Sequence, residues 1–355
     1  MKIGLIGLPN AGKTTVFNAL TGSEVPVASY SMGKSEPNLG TVHVMDERVT
    51  RLSQMYHPRK TLYATVEFVD FSGHSGVDAG EGLFEGSSLA MIRNMDALAL
   101  VVRNFDDDLQ GPSESLKDIK AVEQELLVAD LIVAEARLER IRKGYGRGQR
   151  SEALQREEKL LLGILEHLNG DRPLRDLEFI PDEEKMIRGF QFLSKKALMV
   201  VLNSHEDRFG KDETLLGEIA GRYRVVEFAG RFEMELSRLD DEEAGLFMED
   251  MGIPGSASRR LCRLAYETLG YISFFTVGED EVRAWNIHRG ETALDAAAAI
   301  HTDLARGFIR AECFSFQDCM ECGSEKRIRE RGLFRLEGKD YAVRDGDILN
   351  IRFNV

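Results

Sequence analysis

The stretch Gly7-Leu-Pro-Asn-Ala-Gly-Lys-Thr14 decides the fold of this chain. It fits G-x-x-x-x-G-K-[ST] at every fixed position, and it joins an apolar run (Ile3 to Ile6) to a stretch typical of a helix (Thr15 to Leu20). Glycines let backbone N–H groups turn toward a polyphosphate, and the helix start adds partial positive charge. Lys13 is placed to reach the β- and γ-phosphates, and Thr14 to bind Mg²⁺. This order favours a nucleoside triphosphate site over a chance glycine-rich turn.

Length and composition indicate a multidomain protein of the cytoplasm. The 355 residues are enough for two or three domains, and the 43% of hydrophobic residues is ample for their cores. Four cysteines and a strand at the very start of the chain predict a reducing compartment and no signal peptide. The net charge of −14 argues against anionic membranes and DNA as partners, while RNA contact through a local basic patch stays open.

A second nucleotide signature follows the P-loop. Thr65 to Asp70 is typical of a strand, and Asp70-Phe-Ser-Gly73 fits D-x-x-G, in which Asp70 binds Mg²⁺ through water and the Gly73 N–H contacts the γ-phosphate. The glycine- and proline-rich stretch from Ser23 to Met45 is where the first switch segment is expected. Ala97 to Val102 is a continuous apolar run, as in a strand buried in a parallel sheet.

A helical insertion interrupts this domain. A long helix is predicted from Ser113 or Ser115 to about Gly144, and a second helix follows with apolar residues on one face. The two should pair as an antiparallel coiled-coil hairpin. The predicted seam of the first helix is Ile119, Val122, Leu126, Ala129, Val133 and Ala136.

The tip of this hairpin is rich in basic residues. Its cations are Arg137, Arg140, Arg142, Lys143, Arg147 and Arg150. Two interpretations stay open: a solvated turn, or an RNA-facing arm whose cations contact phosphates.

The nucleotide-domain pattern resumes with the apolar run from Ala197 to Asn203, and Val225 to Phe228 predicts one more strand. From Phe274 onward, short β-rich runs surround one predicted helix, Ala293 to His301, which indicates a small α+β domain. We therefore expect an α/β P-loop domain over residues 1–108 and 196–272, a helical insertion over 109–195 and a final domain over 273–355.

These motifs resemble the YchF/Obg-like ATPases of the translation-factor-related P-loop class. The resemblance spans essentially the whole chain and rests on Gly7 to Thr14, Glu36-Pro-Asn38, Asp46-Glu-Arg48, Asn203-Ser-His-Glu206 and the ending from Leu336 to Val355. The final domain resembles the TGS module, a β-grasp fold, at Gly290-Glu-Thr-Ala293, Asp295 and Ile300-His-Thr-Asp303. The resemblance implies a nucleotide-dependent switch with slow hydrolysis, Mg²⁺ as cofactor, and a partner in the ribosome or its RNA contacted through the hairpin and the TGS domain.

The expected nucleotide contacts follow from these motifs. They are Asn10, Ala11, Gly12, Lys13, Thr14, Thr15, Asn203, Ser204, Glu206, Ala229 and Gly230, with Thr14 and Asp70 at the metal and Lys13, Gly73 and His74 in catalysis. A GTPase reads guanine with Asn-Lys-x-Asp, whereas Asn203-Ser204-His205-Glu206 lacks the lysine and carries a longer acid. A misplaced acceptor loses the paired hydrogen bonds to guanine, so we expect ATP to be preferred over GTP.

Three departures from the family pattern bear on hydrolysis. His74 occupies a position that is usually hydrophobic, where it either orients the attacking water or is a surface histidine. Lys34 aligns with the first-switch threonine, and a charged lysine cannot ligate Mg²⁺. The segment after Asn104 is shorter and lacks a loop histidine. Asn10 is kept, which makes K⁺ a further candidate cofactor.

Two alternatives to the ATPase switch stay open: an Obg-type GTPase, and a scaffold that binds nucleotide with negligible turnover. Cys319-Met-Glu-Cys322, with Cys313 nearby, invites a zinc interpretation, but a single C-x-x-C favours ordinary thiols.

Overall fold

Two six-stranded β-sheets organise the chain in the computed structural model, which describes residues 1–25, 37–71, 84, 86–106, 111–250, 252–253 and 255–354. The strands are β1 (Lys2–Ile6), β2 (Asn38–His43), β3 (Lys60–Leu62), β4 (Thr65–Asp70), β5 (Ala97–Asn104), β6 (Ala197–Ser204), β7 (Arg224–Phe228), β8 (Tyr271–Val277), β9 (Glu281–His288), β10 (Phe308–Ser315), β11 (Arg335–Glu337) and β12 (Asp347–Phe353).

The helices fall between these strands. They are α1 (Lys13–Thr21), α2 (Glu47–Tyr56), α3 (Gly86–Ile92), α4 (Ser115–Tyr145), α5 (Glu152–Asn169), α6 (Pro181–Ile187), α7 (Glu213–Ala220), α8 (Gly230–Leu236), α9 (Asp241–Asp250), α10 (Ala257–Leu269), α11 (Ala293–Ile300), α12 (Thr302–Arg306), α13 (Phe316–Cys322) and α14 (Glu325–Glu330). Within the described parts of the chain, no helix combines the length and the apolar composition that crossing a membrane requires.

The first unit comprises Met1–Gly40 and Glu67–Ala257. Its sheet has the order β2-β4-β1-β5-β6-β7, and β1 runs parallel to β4 and β5, β5 to β6, and β6 to β7. Every residue of β5 is buried, as its continuous apolar sequence predicts for a central parallel strand. The carboxyl ends of these strands therefore meet along one edge of the sheet, where the P-loop, Asp70 and Asn203 lie.

The apolar residues of α4 pack into two different hydrophobic cores. Ile119, Val122, Leu126 and Ala129 pack against the strands of the first sheet, whereas Leu127, Ala134 and Ile141 pack with residues of α5. The predicted seam was therefore wrong for its first four residues, because the root of α4 packs on the sheet and the stripe that faces α5 is a different set of residues. Buried Asp130 fixes this root, since its carboxylate accepts the N–H groups of Leu193 (2.9 Å) and Ser194 (2.7 Å) and a hydrogen bond from Arg93.

The second unit comprises Thr41–Val66 and Ser258–Val355, around the sheet β11-β10-β12-β8-β9-β3. Residues 41–66 were predicted in the P-loop domain, but β3 pairs in parallel with β9, and Val49 and Leu52 of α2 pack in the core of this unit. Phe274 and Phe275 alternate between two cores, one shared with α11 and one with α2, α13 and α14. The expectation of one helix here was wrong, because it overlooked the short serine-capped helices α13 and α14.

Candidate nucleotide-binding site

The P-loop lies between β1 and α1, as the sequence predicts, and its shape depends on close backbone approaches. Gly12 has a φ of 88°, and a Cβ there would lie 2.1 Å from Nδ2 of Asn203. A Cβ on Gly7 would lie 2.3 Å from the carbonyl oxygen of Val101. Asn10 adopts a left-handed backbone with a φ of 61°, which asparagine tolerates better than most residues. Only glycine fits at positions 7 and 12, which is why the motif needs it there.

Lys13 is buried, with 6% of its surface exposed, and its ammonium turns back toward the loop. It donates hydrogen bonds to the carbonyl oxygens of Gly7 (3.0 Å) and Leu8 (2.9 Å). Burial lowers the pKa of Lys13 to about 8, against the opposing pull of the Asp70 carboxylate. The loop thus holds a cation whose charge water solvates poorly, and an anion brought into the loop would stabilise it.

Thr14 and Asp70 meet at the start of α1. The Thr14 hydroxyl donates to Oδ2 of Asp70 (3.1 Å), and the amide of Asn38 donates to the same oxygen (3.3 Å). Both Thr14 and Asp70 are buried. A hydroxyl and a carboxylate are the hard oxygen donors that Mg²⁺ prefers, so the donor set fits that ion.

Asn203, at the end of β6, ties two loops together. Its Nδ2 donates to the carbonyl oxygen of Ala11 (3.0 Å), and its Oδ1 accepts the N–H of Gly230 (3.2 Å) at the start of α8. Ala229 is buried beside it and donates its N–H to the Glu233 carboxylate. Asn203 thereby joins the P-loop to the segment expected to flank the base.

Ser204 points to the opposite side of β6. Its hydroxyl accepts a hydrogen bond from Asn104 (3.0 Å) and donates to Glu227 (2.5 Å), whose other oxygen accepts the N–H of Gly210. Glu206 lies exposed on the loop after β6. The side chain of Ser204 thus belongs to a buried polar network.

The structure brings together most of the predicted site. Ala11, Gly12, Lys13, Thr14, Asp70, Asn203 and Gly230 converge at the carboxyl end of the sheet, and Thr15 lies in the first turn of α1. Gly73, His74 and Lys34 lie outside the described residues. Sequence reasoning assigned no role to Asn38, Glu227 or Glu233. Asn38 stands within the quoted Glu36-Pro-Asn38 motif, whereas the two acids have no local sequence signal.

The four cysteines belong to the second unit. Cys262, Cys313, Cys319 and Cys322 are buried free thiols. Burial raises the pKa of Cys319, which opposes formation of the thiolate that binds metal. Across the residues that the structure describes, no group of three or more His, Cys, Asp or Glu side chains is arranged to hold a metal ion.

A strand, a P-loop and a helix, with Lys13, Thr14 and Asp70 side by side, define a P-loop nucleotide-binding protein. The chain is 39% identical over 364 residues to the Ribosome-binding ATPase YchF of Haemophilus ducreyi, covering 100% of this chain and 99% of the relative. It therefore belongs to the YchF family. The relative of that name from Bacillus subtilis is 35% identical over 367 residues, with 99% of each chain covered.

Family and structure comparisons agree. Residues 2–135 match the family described as "50S ribosome-binding GTPase", and residues 271–354 match YchF-GTPase_C, described as "Protein of unknown function (DUF933)". The structure of the Schizosaccharomyces pombe YchF GTPase superposes with a TM-score of 0.86 at 29% identity and covers 99% of this chain and 97% of that chain. The predicted P-loop α/β fold is thus confirmed.

Proposed function

We propose that this protein is a nucleotide-dependent switch that binds ATP, hydrolyses it slowly and associates with the ribosome in the cytoplasm. The observation that carries the proposal is that Lys13 and Thr14 of the P-loop meet Asp70 at the end of β4, which together are the groups that phosphates and Mg²⁺ require. The ribosomal part is supported by the relatives named Ribosome-binding ATPase YchF.

Mg²⁺ would be held by the Thr14 hydroxyl and the Asp70 carboxylate, and it would neutralise negative charge on the phosphates. Asn38 orients Asp70 by donating to one of its oxygens. Asn10 makes K⁺ a second candidate cofactor. An unchanged hydrolysis rate when K⁺ replaces Na⁺ would remove K⁺ from the proposal.

Preference for ATP over GTP is supported by the end of β6. Where a GTPase has a lysine stem over the base, this chain has Ser204, and its hydroxyl is committed to Asn104 and Glu227. Both ends of the Asn203 amide bond backbone groups. Base recognition thus falls to Glu206 and to backbone groups near Ala229. The Glu206 carboxylate is one methylene longer than the aspartate of a GTPase, which misplaces the acceptor pair that guanine requires.

The two accessory parts supply the proposed ribosome contacts. We assign the hairpin formed by α4 and α5 to an inserted helical arm within residues 109–195, and residues 273–355 to a β-grasp domain of TGS type. At the arm's tip, Arg137, Arg142 and Lys143 pair with Glu157, Glu158 and Glu139. Arg140, Arg147 and Arg150 have no carboxylate partner within the described ranges, so they are the cations offered to RNA phosphates.

Equilibrium binding of ATP and GTP with Mg²⁺, followed by phosphate release from each, tests the nucleotide part. We expect tighter ATP binding and slow turnover. Clear GTP preference would favour the Obg-type GTPase, and binding without turnover would favour the scaffold.

The rate of phosphate release from His74→Ala, compared with wild type, tests the catalytic role of His74. An unchanged rate would exclude that role. Co-sedimentation with purified ribosomes tests the partner.

A further inference from the structure

α9 exposes two adjacent large apolar side chains. Leu246 is 67% exposed and Phe247 is 51% exposed. Scattered exposed apolar residues need no explanation, but here two large apolar side chains are exposed at consecutive positions of one short helix. Leu239, 39% exposed, precedes the same helix. This surface lies outside the nucleotide site described above.

Carboxylates surround this apolar pair. The stretch from Asp240 to Asp250 holds six acidic residues and no lysine or arginine. In a helix, residues three and four positions apart are neighbours, so acids lie one turn before and one turn after Leu246. They are Glu242, Glu243, Glu249 and Asp250.

Stabilisation of α9 explains the acids at its start, but not the two at its end. The Asp240 carboxylate accepts the N–H groups of Glu242 (3.0 Å) and Glu243 (2.9 Å), and acids at a helix start complement its dipole. Glu249 and Asp250 stand in the last turn of α9, where negative charge opposes the helix dipole and where the helix itself carries no basic residue. The stability of α9 therefore does not account for these two charges.

We propose that α9 is a docking element for a basic protein surface. Leu246 and Phe247 fill an apolar pocket on the partner, and the acids pair with a rim of lysine and arginine around it. The inference rests on the proposed ribosome association and specifies a protein component, because RNA phosphates would meet six carboxylates. A second copy of this chain is a poor occupant, since each copy carries a net charge of −14.

The test measures binding of the full-length protein to purified ribosomes. The double variant Leu246→Ala/Phe247→Ala removes the apolar surface, and Ile180→Ala, a 62% exposed residue ahead of α6, is the matched control. We expect the double variant to bind about tenfold more weakly or worse and the control to stay within about twofold of wild type. ATP binding and the thermal unfolding midpoint should be unchanged in both.

Two further measurements identify the occupant. Glu242→Gln/Glu243→Gln/Glu249→Gln should flatten the salt dependence of ribosome binding, because fewer ion pairs are screened. A photo-cross-linking phenylalanine analogue at position 247 should label a ribosomal protein at a lysine- or arginine-rich peptide. Cross-links to ribosomal RNA or to a second copy would overturn the proposal, as would unchanged affinity of the double variant. If wild-type protein fails to bind ribosomes at all, the proposed function fails first.

Discussion

Raising the pH above about 8 should make ATP binding take up a proton at Lys13. Burial lowers the pKa of this ammonium from 10.5 to about 8, so above that pH the free protein holds Lys13 largely neutral. ATP phosphates favour the ammonium and return its pKa toward the ordinary value or above. Binding and protonation are then coupled between about pH 8 and pH 10.5.

The size of the effect follows from this interval. About 2.5 pH units correspond to about 3 kcal/mol, so ATP affinity should fall by up to tenfold for each pH unit above about 8. Calorimetric titrations in buffers of different ionisation enthalpy count the protons directly. We expect about 0.1 proton taken up for each ATP bound at about pH 7 and about 0.9 at about pH 9.

The titration near pH 7 is the internal control, because Lys13 is protonated there with and without ATP. An uptake below about 0.2 proton at about pH 9 would refute the coupling. It would mean that the carbonyl groups of the loop keep the ammonium charged in the free protein despite its burial.

Three substitutions test the contacts that shape the site and its surroundings. Gly7→Ala should lower the free energy of unfolding by about 2–3 kcal/mol, because its Cβ would overlap a strand carbonyl, whereas Gly163→Ala, exposed within α5, should raise it by up to about 1 kcal/mol. Asn203→Ala should weaken ATP binding by at least tenfold, since the P-loop and the segment at Gly230 lose the side chain that holds them together in the free protein. Asp130→Ala should cost about 3–5 kcal/mol in urea unfolding, while exposed Asp182→Ala should change stability by less than about 0.5 kcal/mol. Equal losses in either matched pair would contradict the reasoning, as would unchanged ATP affinity in the Asn203 variant.

The predicted site residues come together in the structure where they belong to one motif or end neighbouring strands. The P-loop glycines, Lys13 and Thr14 form one contiguous motif, and Asp70 ends a strand whose partner is β1. Since parallel strands end at the same edge, these residues had to meet. Ser204 was predicted to contact the nucleotide because it follows Asn203 in the motif. Adjacent residues of a strand face opposite sides, however, and the Ser204 hydroxyl bonds Asn104 and Glu227 instead.

Local sequence patterns do not predict which distant elements pair with one another. β3 is three residues long and pairs with β9, more than two hundred positions later, so nothing within Lys60–Leu62 indicates its partner. α2 carries an amphipathic pattern, but the pattern does not say which core Val49 and Leu52 enter. The prediction of the α4 seam was wrong for a related reason. Periodicity identifies an apolar face but not its partner, and α4 packs one face on the sheet and another on α5.

The anchored root of α4 gives the hairpin a mechanical property. Asp130 holds α4 against the backbone ahead of β6, and the helix continues for fifteen residues to Tyr145. At 1.5 Å per residue the free span is about 22 Å, so a tilt of about 10° at this fulcrum would move the tip by about 4 Å. The hairpin thus amplifies motion. A small rotation at its root moves its tip by a distance greater than the length of a hydrogen bond.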